Sequence, residues 1–190
     1  MKKSFAILAM IIVLPVLAQA INIFGGVQGG LRTVNDSQIK SVYGQGICLF
    51  PYLAVNPWKG VIAGAGYEFG YSKSGHIGVY EEDTTLKVSG VEVFAGYQYP
   101  LGIITPYALL GLGSFSYKQT VASPAAQKVD TSKMTFFFAA GAKACPFKGL
   151  PGLFFNLEVK YVPLSVKPYD ESVDLGGVRL TLGAGYSFSF

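Results

Sequence analysis

The stretch GGVRLTLGAGYSFSF, Gly176 to Phe190, decides the fold. Val178, Leu180, Leu182, Ala184, Tyr186, Phe188 and Phe190 alternate without a break with Arg179, Thr181, Gly183, Gly185, Ser187 and Ser189. A period of two specifies a strand with one apolar and one polar face. A soluble domain rarely ends on such a strand with an aromatic as its last residue. A transmembrane barrel needs one: apolar groups toward lipid, polar or small groups inside, and a closing strand to pair with the first.

The other end of the chain supplies an address. Met1-Lys2-Lys3-Ser4 is a short basic segment, Phe5 to Ala18 an apolar run, and Ala18-Gln19-Ala20 a small-x-small cleavage site. The run is shorter than the roughly 20 residues of a membrane helix and has the layout of a secretory leader. Residues 1–20 are therefore expected to be a cleaved signal peptide, and residues 21–190 a single barrel domain. Hydrophobic residues make up 51% of the chain and charged ones 14%, with 24 glycines. Past Ala20 no apolar run is long enough for a membrane helix, so the hydrophobicity is dispersed by alternation. The net charge is +4, and +2 once Lys2 and Lys3 leave, too little to point to nucleic acid.

From Ile23 the pattern is strand, turn, strand. Strands are expected at about 23–34, 42–55, 61–72, 85–99, 103–118, 132–145 and 153–164, followed by the closing strand. The stretch at 61–72 sets Ala63, Ala65, Tyr67, Phe69 and Tyr71 against Gly64, Gly66, Glu68 and Gly70. The stretch at 153–164 sets Phe155, Leu157, Val159 and Tyr161 against Asn156, Glu158 and Lys160. The facing of the second strand and the register of the fifth stay open. Polar loops are expected at Asn35-Asp36-Ser37, at 73–84, 120–131 and 165–174, and short turns at 56–60, 100–102 and 146–152. The fold class is thus all-β, an eight-stranded antiparallel up-and-down transmembrane β-barrel. Long and short connections alternate, so both chain ends lie at the periplasmic rim and the longer loops face outward. Aromatic residues gather toward strand ends, where rings suit the water–lipid boundary.

The terminal LTLGAGYSFSF carries a polar residue, a glycine two later, and hydrophobic or aromatic residues spaced by one: Thr181, Gly183, Tyr186 and Phe188, with Phe190 as the terminal aromatic. With the leader, strand count and loop alternation, this resembles the small outer-membrane β-barrel families: the OmpA-type transmembrane domain, the OmpX/Ail type and the opacity-protein type. The resemblance implies a Gram-negative outer membrane and insertion by the barrel-assembly machinery through those five residues. It covers the mature chain but includes no peptidoglycan-binding domain, and the loops are short for an opacity-type adhesin. The partners it implies are outer-membrane lipid and lipopolysaccharide, the assembly machinery, and a surface ligand on the outer loops, with the chain a monomer.

Arg32, Glu68, Glu92, Lys143, Glu158, Lys160 and Arg179 all fall on the expected inward face. An eight-stranded barrel is just wide enough for side chains to fill, and a buried charge must be paired. These seven are expected to form an ion-pair network holding the barrel shut, the inward glycines making room for the long charged side chains. The alternative is a small gated diffusion channel. His76, the single histidine, lies near Glu81, Glu82 and Asp83, but a zinc site needs more nitrogen or sulfur ligands. His76-Ile77-Gly78 offers no hydroxyl partner two residues on, which disfavours a lipid A-modifying barrel enzyme. No catalytic, cofactor or metal residues are assigned. Cys48 and Cys145 fall on opposed strands, too far apart for a disulfide, and are expected to be free thiols each filling a small space. The expected function is a non-enzymatic barrel with a structural and surface-interaction role.

Overall fold

A computed structural model of the chain describes residues 21–70, 72–77, 82–122, 127–147, 149–167 and 173–189. The expected leader and Phe190 lie outside them. The elements are β1 (Asn22–Arg32), α1 (Ser37–Tyr43), β2 (Gly46–Trp58), β3 (Val61–Glu68), β4 (Ser72–Ile77), β5 (Glu82–Gln98), β6 (Ile104–Val121), β7 (Gln127–Ala144), β8 (Leu153–Val162), β9 (Ser165–Val166), β10 (Val173–Asp174) and β11 (Gly177–Ser189). Neighbours are antiparallel in the order β3, β2, β1, β11, β8, β7, β6, β5, and β3 pairs with β5 to close the ring. β4 continues the line of β3 past Gly70 and also pairs with β5, so the two pieces make one stave of an eight-stranded barrel. The first and last strands are zipped from Asn22–Ser189 to Arg32–Arg179.

The two faces of the wall separate as alternation demands. Phe136, Leu157 and Leu182 are 52%, 48% and 67% exposed, while Glu158 and Arg179 are 3% and 1% exposed. On β6 the outward residues are Ile104, Pro106, Ala108, Leu110 and Leu112, then Ser114, Ser116 and Lys118. The apolar part is about nine residues, the length a tilted strand needs to cross the hydrocarbon core. Tyr97 and Tyr99 on one side and Tyr186 and Phe188 on another are exposed near the strand ends at the rim that bears the short turns.

Several expected boundaries move. The stretch at 73–84 is not a loop throughout: Ser72–Ile77 and Glu82–Lys87 continue the ladder. The stretch at 120–131 is likewise mostly hairpin, paired out to Val121–Gln127. Outward residues there, such as Ser74, His76, Asp83, Thr120 and Asp130, are polar because that part of the wall rises above the lipid, and such polarity reads as loop in the sequence. Within 165–174, β9 and β10 pair with each other. The second strand begins at Gly46, not near Val42, because residues 37–43 form α1. Asp36 caps this helix, accepting from the N–H groups of Gln38 and Ile39 at 2.9 and 3.0 Å. Gly44, at φ 66°, ends it and donates to Lys40 O. Its signal was present: an Asp cap followed by Ile39, Val42 and Tyr43 at helical spacing.

Candidate functional site

The interior of the barrel is the most constrained place in the molecule. Arg32, from β1, lies 2.5 Å from Glu68 of β3. Arg179, from β11, lies 2.9 Å from the other oxygen of Glu68, 3.4 Å from Glu92 of β5 and 3.7 Å from Glu158 of β8. Lys160 ion-pairs with Glu92 and lies 3.7 Å from Glu158. All six are at most 3% exposed. Three cations and three carboxylates drawn from five strands thus balance one for one, which is what burial of charge requires. Below them Tyr107 donates to Glu158 at 3.1 Å, and Thr181 donates to Gln28 at 2.9 Å.

Lys143 does not join them. It faces inward but sits nearer the rim with the short turns, where it donates to Gln98 Oε1 and lies 3.9 Å from the Phe24 ring centroid. Its register on β7 opposite Asn156 places it two residues toward the rim from Glu158's partner Gly141. Lys143, expected as a member of the ion-pair network, stands outside it for that reason.

Aromatic rings line the interior to an extent the alternation did not disclose. Phe50, Phe115, Phe137 and Phe154 are at most 2% exposed. Lys160 lies 4.2 and 4.4 Å from the Phe50 and Phe137 centroids, and Arg179 lies 4.5 Å from Phe50. Rings on these cations replace part of the hydration they lost. The inward glycines serve the rings, not the charged chains: a Cβ at Gly66 would lie 2.7 Å from Phe50 Cε2, and one at Gly64 would lie 2.6 Å from Phe94 Cζ. Strand pattern places a residue on a face, but not which ring of the next strand leans over it.

Two further layers close the ends. Outward of the charges, Leu86, Val88, Phe115, Tyr117, Leu164 and Leu175 are buried, and Ile39, Val42 and Tyr43 of α1 pack on that cluster. Tyr43 shares a 2.9 Å hydrogen bond with Thr84, and Gln119 donates to Tyr43 at 3.1 Å. Toward the rim with the short turns, a cavity of about 20 Å³ touches Phe24, Gln28, Tyr107, Lys143, Glu158 and Lys160. That is room for about one water molecule.

The remaining sequence candidates fall elsewhere. Thr181 faces inward, Gly183 meets the Asn156 side chain and Val27 backbone, and Tyr186 and Phe188 face lipid with ring centroids 4.9 Å apart. Both cysteines are free, and Cys48 is buried; Cys145, expected to fill a space, is exposed because it lies just beyond the end of β7. His76 Nδ1 lies 3.1 Å from Asp83 Oδ1, both well exposed. Ser74 stands two residues before His76 on the same face of β4, so a hydroxyl does accompany the histidine, on its N-terminal side; it lies 3.4 Å from Thr85 Oγ1. Glu81 lies outside the described residues. Among the described residues no cluster of three or more His, Cys, Asp or Glu is placed to hold a metal.

A family model described as outer membrane protein beta-barrel domain matches residues 6–188. Among solved structures, OprG of Pseudomonas aeruginosa is similar with a TM-score of 0.65 at 14% identity, over 89% of this chain and 95% of that one. Neisserial surface protein A is similar with a TM-score of 0.63 at 11% identity, over 90% and 100%. Ail of Yersinia pestis is similar with a TM-score of 0.57 at 18% identity, over 90% and 99%. At such identities the likeness is one of fold. No curated protein matches the chain in sequence.

Proposed function

The chain belongs to the outer membrane protein beta-barrel domain family, and on that premise we propose that it is a non-enzymatic barrel with a structural and surface-interaction role rather than a channel. The observation that carries this is the filled interior. A balanced ionic layer lies between an outward apolar cap and a periplasmic layer whose cavity measures about 20 Å³. Ions would have to displace both the cap and paired charges to pass. Residues 1–20 act as the export leader, Thr181, Gly183, Tyr186, Phe188 and Phe190 as the signal to the assembly machinery, and the product is a monomer in contact with lipid and lipopolysaccharide. The rising wall of β4 to β7 and the α1 cap offer the surface for an external ligand.

The test is single-channel recording of the purified barrel in a planar bilayer. A barrel of this design gives no conductance steps. Regular steps from the wild type would establish the channel reading instead.

A second reading, a lipid-modifying enzyme, draws on Ser74, His76 and Asp83 sharing one surface. Against it, Asp83 stands eight residues above Val91, roughly 20 Å beyond the apolar belt at barrel tilt. Acyl esters of the membrane lie far below. Mass spectrometry of membrane lipids from cells expressing wild type and Ser74→Ala separates the two: identical lipid profiles support the non-enzymatic role, and a deacylated species lost in the variant refutes it.

A further inference from the structure

The outer face of β5, β6 and β7 carries two features that a sealed interior does not explain. Within the apolar belt, Ala95, Ala108 and Ala140 sit among Tyr97, Leu110 and Phe138 and leave two adjoining shallow, open grooves. The grooves share Ala95, Leu110 and Phe138, so they form one depression across the three strands. Above the belt the same strands present Ser89, Ser116 and Ser132 in cross-strand register, and next Lys87, Lys118 and Asp130.

Lys87 and Lys118 stand directly opposite each other, both exposed on the outward face. Like charges so placed destabilise a strand pair, a cost that a bound anion removes. Asp130, 3.1 Å from Lys118, is the one carboxylate of the row, so the row keeps an excess of positive charge. The row lies four residues above Val91, about 13 Å along the strand and roughly 10 Å along the membrane normal at barrel tilt. Lysines at that height reach down to the headgroup layer by extending their stems.

We propose that this face docks one phosphorylated glycolipid of the outer leaflet. An acyl chain lies in the depression, the sugar meets the serine row, and a phosphate lies between Lys87 and Lys118. The inference rests on the orientation given under the proposed function, with β4 to β7 rising outward.

The experiment is native mass spectrometry of the detergent-solubilised barrel with synthetic diphosphoryl lipid A as the probe. Its fully dephosphorylated form serves as the comparison. In Lys87→Gln/Lys118→Gln, retention of the diphosphoryl lipid falls about tenfold. The control Lys40→Gln/Lys167→Gln, which removes two exposed lysines elsewhere, leaves it unchanged. Ala140→Phe, which fills the depression, lowers retention of both lipids. Equal retention by wild type and Lys87→Gln/Lys118→Gln would overturn the proposal, as would equal losses in the two lysine pairs. Heat-modifiable migration of each sample on gels reports the barrel separately. Its loss from the wild type would sink the membrane reading itself, whereas normal migration with unaltered lipid retention sinks only the docking site.

Discussion

Removing Glu68 is the sharpest perturbation of the interior. Its two oxygens serve Arg32 at 2.5 Å and Arg179 at 2.9 Å, and its side chain is fully buried. Glu68→Ala leaves Arg32 without its carboxylate, since the pairs of Arg179 with Glu92 and Glu158 lie on another side of the cluster. Breaking a buried pair by deleting one partner costs about 3–5 kcal/mol, because the survivor stays buried and uncompensated. Arg32→Met/Glu68→Leu removes both members and leaves Lys160 and Arg179 balanced against Glu92 and Glu158. That double variant is expected to recover most of the loss, giving a coupling energy of about 2 kcal/mol or more. Urea unfolding of the barrel in lipid vesicles measures both, with the single tryptophan, Trp58, as reporter. An unchanged midpoint in Glu68→Ala, or a double variant worse than the sum of its singles, refutes the idea that paired charge holds the interior together.

Other outcomes follow from the same geometry. Phe50→Ala removes the ring lying against both Lys160 and Arg179, so its unfolding free energy should fall by about 3–5 kcal/mol, measured by the same urea titration. Asp36→Ala should cost about 1 kcal/mol locally, seen as faster amide exchange in α1 with no change in the barrel midpoint. A maleimide reagent should label Cys145 in the folded protein and Cys48 only after denaturation, as counted by intact mass; labelling of Cys48 in the folded barrel would place it outside the packed interior.

The wall was legible because a charged residue on every second position has one tolerable place in a lipid-embedded strand. Glu158 and Lys160 on β8 and Arg179 on β11 reported their own facing in this way. The partners were less legible. Glu68 meets Arg32 and Arg179 across the lumen, from strands that do not adjoin its own, and register within one strand says nothing of reach across a barrel. Lys143 shows the same gap: right face, wrong height. Phe50, Phe137 and Phe154 point inward beside charged groups, where hydrophobicity alone would have sent them to lipid. The upper ladders were hidden by composition, since Ser74, His76, Asp83 and Asp130 face water and read as loop although they are paired strand. α1 was missed because about two turns of amphipathic pattern are easily absorbed into the loop and strand on either side.

The most direct measurement is a cysteine scan along β11 in a Cys48→Ala/Cys145→Ala background, with a nitroxide attached at each position from 178 to 186 and the barrel in vesicles. Lipid-soluble oxygen should broaden the signals at 178, 180, 182, 184 and 186, while labels at 179, 181 and 183 should be immobilised and protected from both oxygen and water-soluble nickel chelate. Uniform accessibility along the strand, or nickel broadening at 180 and 182, would show that the apolar face is not in lipid.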